Sequence, residues 1–250
     1  AMLGAMGLRV WTASPPAAMA IPEAIAEDAS PVIPVLKALP PLARPIVVAA
    51  DASERAQAIA GMDWAALRQS VAECRACPLC EGRKNTVFGV GHEQAHWMIV
   101  GEAPGETEDQ QGEPFVGQAG RLLDSMLRAL GLSRAEGEPA SQVFIANTLK
   151  CRPPRNRNPE TAELAQCEPY LDRQIALIQP RIILAMGRFA VQSLLRSSEP
   201  IGKLRGRVHQ YQGVPLIVTY HPAYLLRNLA DKARAWEDLC LALDTLKTRS

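Results

Sequence analysis

No run of 18 or more apolar residues occurs in the 250-residue sequence, which excludes a hydrophobic helix of bilayer-spanning length. The N-terminus also lacks the basic, apolar, small-residue order of a secretory signal. The expectation is a cytoplasmic protein that does not engage a membrane. An excess of either charge is missing too: 27 Lys and Arg face 26 Asp and Glu, a formal net charge of +1. That balance provides no domain-wide basic field of the kind that draws a protein onto nucleic acid. Neither a Walker-type glycine loop with its lysine nor a G-x-G-x-x-G fingerprint is present, which argues against a nucleotide-binding protein of those kinds. No internal repeat is visible beyond residue 63.

What is present is ordinary globular material, 48% hydrophobic and 21% charged, enough for one main domain with a sizeable core. Residues 1–60 stand apart. They are rich in Ala and carry Pro15, Pro16, Pro22, Pro31, Pro34, Pro40, Pro41 and Pro45, which prevent any long helix, and they read as a flexible extension. The apolar PIVVAA at 45–50 could still dock on the body. Asp63 then caps a short helix through Trp64, Leu67, Arg68 and Val71 that runs into Cys74.

Four apolar runs have the look of buried strands: WMIVG (97–101), VFIANT (143–148), RIILAMG (181–187) and PLIVTYH (215–221). Helical patterns lie between them. One is the stripe Leu122, Leu123, Met126, Leu127, Leu130, stopped by Gly131. Another is Leu164, Cys167, Leu171, Ile175, Ile178, opened by Asn158-Pro159 and expected to kink at Pro169. A last helix is expected over 223–246. Alternation of strand and helix predicts an α/β domain with a mainly parallel, four-stranded sheet covered on both faces.

Ligands of such sheets bind beyond the carboxyl ends of the strands, so the residues there are the candidates. The first strand runs into the acid-bearing glycine loop Gly101-Glu102-Ala103-Pro104-Gly105, the second ends in Asn147, and the fourth leads to His221. A polar amide at a buried strand end must find several hydrogen-bond partners, and a planar ligand with adjacent C=O and N–H groups would supply them. A lone histidine such as His221 after an apolar strand is more often a hydrogen-bonded structural residue than a catalyst. Phe115, in a polar loop, is either core or a stacking face.

Six cysteines in a cytosolic chain point to metal ligands, catalytic groups or core rather than disulfides. Cys74-x-x-Cys77 with Cys151 and Cys167 can supply four thiolates to zinc or to an iron–sulfur cluster, and the spacing does not choose between them. Cys80 is a spare or a rival, and Cys240 reads as core. Two local basic stretches, Lys150/Arg152/Arg155/Arg157 and Lys203/Arg205/Arg207/His209, are solvated surface or phosphate contacts.

Four motifs in order, CRACPLCEGR, GEAPGETEDQQGEPFVGQAG, NTLKCRPPRNRNP with QCEPYL, and TYHPAYLLR, resemble the family 4, iron–sulfur uracil-DNA glycosylases over about residues 74–243. The resemblance implies a three-layer α/β/α domain over residues 61–250, a 4Fe-4S cluster, and removal of uracil from DNA without strand cleavage. It implies cluster ligands Cys74, Cys77, Cys151 and Cys167, leaving Cys80 outside. Phe115 would stack on the extruded base, Asn147 would pair with its polar edge, His221 would sit at its carbonyl oxygen, and Gly101, Ala103 and Gly105 would give backbone contacts. Glu102, Glu108 and Asp109 are the acidic candidates near the sugar, with Glu108 or its loop as a wall against the thymine methyl. Where more active members of the superfamily carry an aspartate, this chain reads Glu102-Ala103-Pro104, so the group that serves the water is left open. Asn156 stands where a branch that traps itself on DNA has a histidine, and turnover without a stable adduct is therefore expected. Arg152, Arg155 and Arg157 are expected at phosphates, and Tyr224, Leu225, Leu226 and Arg227 match the segment that enters the DNA. The expected protein is a monomer acting on uracil-containing DNA. The alternative is a non-catalytic iron–sulfur module that binds DNA or senses redox state, and a zinc-stabilised nucleotide-binding protein is a third reading.

Overall fold

The computed structural model describes residues 47–135 and 137–248; the expected extension lies outside the described residues as far as residue 46. Residues 47–60 depart from the expectation. They form helix α1 (Val47–Ala60), which packs on α6 (Thr161–Ile178), with Ile59 in the core and Arg55 donating to the Gln166 carbonyl at 2.9 Å. No proline follows Pro45 until Pro78, so nothing in the stretch opposes a helix.

The sheet has six strands in the order β1-β3-β2-β4-β6-β5. Its centre is the predicted parallel set: β2 (Trp97–Gly101), β3 (Val143–Asn147), β4 (Ile182–Met186) and β6 (Val214–Thr219). The antiparallel edges β1 (Val90–Gly91) and β5 (Val208–Tyr211) add to the four strands expected. Both are short, and β5 alternates exposed with half-buried residues, so neither leaves the apolar run that betrays a central strand.

Side chains alternate faces along each strand. Trp97, Ile99, Val143, Ile145, Ile182, Leu184 and Ile217 meet α5 (Gln118–Ala129) and α10 (Asp231–Lys247) through Leu123, Leu127, Leu239 and Ala242. Met98, Val100, Phe144, Ala146, Ile183, Leu216 and Val218 face α2 (Trp64–Glu73), α6 and α7 (Arg188–Leu195) through Leu67, Val71, Leu171, Ile175 and Val191. The architecture is three-layered, helix on sheet on helix. Connections run from β2 outward to β3 and back across β2 to β4, which opens a crevice at the strands' carboxyl ends.

Two helix boundaries differ from the sequence reading. α6 begins after Glu160, not at Asn158-Pro159, because Glu160 and Glu163 close a reciprocal capping box. It runs on through Pro169 as one helix. The last helical stretch is split into α9 (Pro222–Leu225) and α10, with the main-chain N–H groups of Arg227 and Asn228 both closing on the Tyr224 carbonyl at 3.0 Å in the turn that follows α9.

Candidate active site and thiol cavity

Gly101 and Asn147 are register partners at the carboxyl ends of β2 and β3. A Cβ on Gly101 would lie 2.5 Å from Phe115 Cζ and would strike Asn147 Oδ1, so only glycine lets that ring and that amide close on the strand end. After β2 the chain forms the 102–105 loop and α4 (Glu106–Gln111), then turns back to bring Phe115 over the sheet. Phe115 sits at φ 55°, a left-handed conformation that a bulky side chain rarely adopts. Three neighbours hold it there. Arg134 donates to the carbonyls of Pro114 (2.8 Å) and Phe115 (3.1 Å). Glu108 Oε1 accepts from the main-chain N–H of Val116 and Gly117, both at 3.0 Å. Gly120 lies so close that a Cβ would overlap the Phe115 carbonyl.

His221 follows β6 and caps α9: its Nδ1 accepts from the Ala223 N–H at 3.2 Å. A neutral imidazole that accepts at Nδ1 carries its proton on Nε2, which makes that nitrogen a donor. The neutral form is favoured, since burial pulls the pKa down to about 4, with Glu108 opposing and Arg227 reinforcing the shift. The imidazole stacks against Phe115 with centroids 5.3 Å apart. Asn147 is 2% exposed, and its Oδ1 is buried without a hydrogen-bond partner.

These groups line one cavity of about 340 Å³. Of the sequence candidates, Glu102, Ala103, Gly105, Glu108, Phe115, Asn147, Asn156, Arg157 and His221 border it, and Gly101 lies beneath Phe115 and Asn147. Burial raises the Glu102 pKa, with Arg188 opposing. Asp109 does not join them. Its carboxylate is buried and accepts from the N–H groups of Lys84 (2.9 Å to Oδ1) and Asn85 (3.3 Å), so it anchors the 84–85 turn rather than facing a ligand.

A second, smaller cavity is lined by Cys74, Cys77, Cys80, Cys151 and Cys167 together with Arg83, Lys150 and Tyr170. All five thiols are free. Among the described residues no three His, Cys, Asp or Glu groups converge closely enough to hold one metal ion; the thiols ring a cavity instead. Burial raises the pKa of Cys77 and Cys151 and pushes Cys167 up to about 12, so these thiols favour the protonated form until a cation offsets the charge. Cationic donors are at hand: Arg83 Nη1 lies 3.1 Å from Cys151 Sγ and Arg55 Nη2 lies 3.7 Å from Cys74 Sγ.

Residues 88–240 match the family model of the uracil DNA glycosylase superfamily. The type-4 uracil-DNA glycosylase of Pyrobaculum aerophilum is 42% identical over 190 residues, 72% of this chain and 93% of that protein. The chain belongs to the type-4 uracil-DNA glycosylases. Those of Sulfurisphaera tokodaii (46% over 171 residues, 65% of this chain and 75% of that protein) and Thermotoga maritima (42% over 168 residues, 66% and 84%) are similar as well.

In this type-4 family member the residues expected at the rim fall into two groups. Arg155 is exposed at φ 54° and, among the described residues, has no ion partner. Arg152 instead bonds Asn156 Oδ1 (2.7 Å) and pairs with Glu106 (3.4 Å), while Arg157 pairs with Glu160 (3.2 Å) and Glu163 (2.5 Å). In the segment after His221, Leu226 is 39% exposed and Arg227 is exposed. Leu225 is fully buried, and Tyr224 is held by Asp231 (2.7 Å) and by stacking on Tyr220. Leu229, two residues beyond Arg227 and not singled out by the sequence reading, is 64% exposed. Arg134, Arg83 and Arg55 were missed, since single cations in a sequence resemble solvated surface and only folding shows their partners; Lys150, read as part of a basic surface stretch, is instead buried. The second basic stretch is surface and core rather than a patch, since Arg205 pairs with Glu237 (3.0 Å) and Asp238 (3.1 Å). Among the described residues no helix is long and apolar enough to cross a membrane.

Proposed function

We propose that this type-4 glycosylase draws a uracil nucleotide out of DNA into the cavity over Phe115 and hydrolyses its N-glycosidic bond, leaving an abasic site in an unbroken strand. The observation that carries the assignment of roles is the orphaned Asn147 Oδ1, a buried acceptor in the cavity beside a stacked Phe115 and His221. A buried acceptor without a partner costs about 1 to 3 kcal/mol, and a bound uracil would relieve it: Oδ1 accepts from the base N3–H while the Asn147 amide donates to O4. Cytosine, with donor and acceptor exchanged, leaves both groups mismatched. Stacking on Phe115 contributes roughly 1 to 3 kcal/mol and offsets part of the few kcal/mol needed to extrude the nucleotide.

Cleavage places negative charge on uracil O2. His221 Nε2–H is the donor suited to that oxygen, neutral at physiological pH and fixed in tautomer by the Ala223 N–H. Two carboxylates of the acidic loop remain. Glu108 spends one oxygen on the 116–117 turn that carries Phe115, so we assign it to shaping the pocket, including the wall against a thymine methyl. Glu102 borders the cavity, and burial makes it a better proton acceptor; we assign it to positioning water against the developing sugar cation.

The thiol cavity fits a 4Fe-4S cluster held by Cys74, Cys77, Cys151 and Cys167. Such a cluster takes one thiolate at each of its four corners, which suits thiols arranged around a space rather than at a point, and Arg55 and Arg83 offset their charge. When bound, the cluster supplies a cross-link between the 74–77 segment, the 151 loop and α6, steadying the Arg152–Arg157 loop at the pocket rim. Incubation with a single-uracil oligonucleotide and then alkali tests the activity: scission at the uracil is expected, and an intact strand from iron-replete protein would overturn it.

A further inference from the structure

Lys150 lies between the two cavities. It is 2% exposed, and its Nζ donates to the Asn147 carbonyl (2.8 Å) and to Gln174 Oε1 (2.7 Å). Gln174 in turn donates to the Phe88 carbonyl at 2.9 Å, so its amide is fixed and presents only its oxygen. Among the described residues the ammonium has no carboxylate partner. A buried cation facing only neutral acceptors is costly. The same side chain lines the thiol cavity beside Cys151 and Cys167, where thiolates would furnish the missing negative charge.

We propose that Lys150 is a positioning residue that joins the thiol cavity to the base-reading amide: with its charge offset by the metal-bound thiolates, its ammonium stays buried, clamps the Asn147 main chain and keeps Oδ1 aimed into the pocket. This rests on the roles given above to Asn147 and to the cysteines. Leu149 and Lys150 follow Asn147 by only two and three residues, so the clamp closes a short loop. Thr148 N–H and Leu149 N–H bond the carbonyls of Gly101 (3.0 Å) and Glu102 (3.1 Å) from the other side. The peptide between Asn147 and Thr148 is thereby gripped at both ends, and loss of the Lys150 bond leaves it held by the Thr148 N–H alone.

The test is a double-mutant cycle on the full chain, read as the single-turnover rate of uracil excision, with iron content and visible absorption measured on every variant. Lys150→Met keeps the length of the side chain and removes its donors. It is expected to retain iron and to excise about 10-fold more slowly. Asn147→Ala is expected to lose at least about 100-fold, and the double variant to be no slower than Asn147→Ala alone, because Lys150 acts through Asn147. A general structural role would instead multiply the two losses. Additive losses, or a wild-type rate for Lys150→Met, would overturn the proposal. Should Lys150→Met fail to fold or to hold iron, Gln174→Glu keeps the lysine and pulls its ammonium away from the Asn147 carbonyl; the same 10-fold loss and non-additivity are expected, and a wild-type rate would sink the idea. A wild-type rate for Asn147→Ala would defeat the reading of the pocket itself, and with it this proposal, whereas additive losses beside a slow Asn147→Ala defeat the role of Lys150 alone.

Discussion

The Phe115 ring and the His221 imidazole lie 29° from parallel with centroids 5.3 Å apart. The imidazole thus lies against the ring proposed to carry the base, and both border the same cavity. The arrangement depends on a neutral histidine whose Nδ1 is committed to the α9 cap.

That commitment predicts a pH dependence. His221 titrates at about 4, not near the usual 6.5, because burial disfavours the imidazolium; Glu108 opposes and Arg227 reinforces this. Between those values the unfolded chain binds a proton that the folded chain refuses, so the contribution of His221 to stability is lost as pH falls from 6.5 to 4 and does not decline further below. Ring resonances of His221 followed by NMR are expected to move with a midpoint near 4. A midpoint near 6.5 would show that burial does not lower the imidazole as the fold implies.

Gly101→Ala probes the close approach of strand end, ring and amide. The new Cβ would lie 2.5 Å from Phe115 Cζ and 2.7 Å from Cε2, so both base-contacting side chains must shift. Excision is expected to fall by about 100-fold or more, while overpacking lowers stability by only about 1 to 3 kcal/mol. Steady-state kinetics beside thermal unfolding would check this, and unchanged kinetics would refute the packing argument.

The central strands were legible because burial on both faces leaves uninterrupted apolar runs, as in WMIVG. Phe115, Asn147 and His221 were legible because strand ends are where an α/β sheet puts its ligands, and the four motifs reinforced that placement. What stayed hidden was of two kinds. Polar residues serving main-chain groups have no periodic signature, so Asp109 looked catalytic and Arg134 drew no notice. Short elements were hidden as well: α9 ends at Leu225, which is buried, while the next residue, Leu226, is exposed.

Arg134 is expected to matter for catalysis without touching the base. It clamps the carbonyls of Pro114 and Phe115 and is itself oriented by Asp124 at 2.8 Å. Arg134→Met frees a residue at φ 55° to relax toward a common conformation. A drop of about 10-fold in kcat/KM is expected, recovered in part by Arg134→Lys, which keeps one donor. Equal kcat/KM in wild type and Arg134→Met would remove it from the site.

The thiol set makes a prediction that separates ligands from a bystander. Cys80 lines the cavity but lies outside the proposed four. Cys80→Ser is expected to purify with iron and visible absorption at wild-type levels, whereas Cys151→Ser or Cys167→Ser loses both along with part of its thermal stability. Full iron in Cys167→Ser, or its loss in Cys80→Ser, would reassign the ligands.

Contact with the DNA backbone can be read from salt dependence, and the arginines of the 152–157 loop should not behave alike. Arg157 is engaged with Glu160 and Glu163, and Arg152 with Glu106 and Asn156, so each already has its charge partly matched and helps to hold the loop. Arg155 is exposed and, among the described residues, has no ion partner, leaving its full charge for a phosphate. Each phosphate contact made by a protein contributes about 0.9 to the slope of log K against log salt on duplex DNA. Arg155→Ala is therefore expected to flatten that slope by about 1 and to leave thermal unfolding unchanged. Arg157→Ala is expected to lower the unfolding temperature, because it strands the nearly buried Glu163 side chain beside its cap. If Arg155→Ala leaves the salt slope of binding to a uracil duplex untouched, the loop is not where this enzyme meets the phosphates.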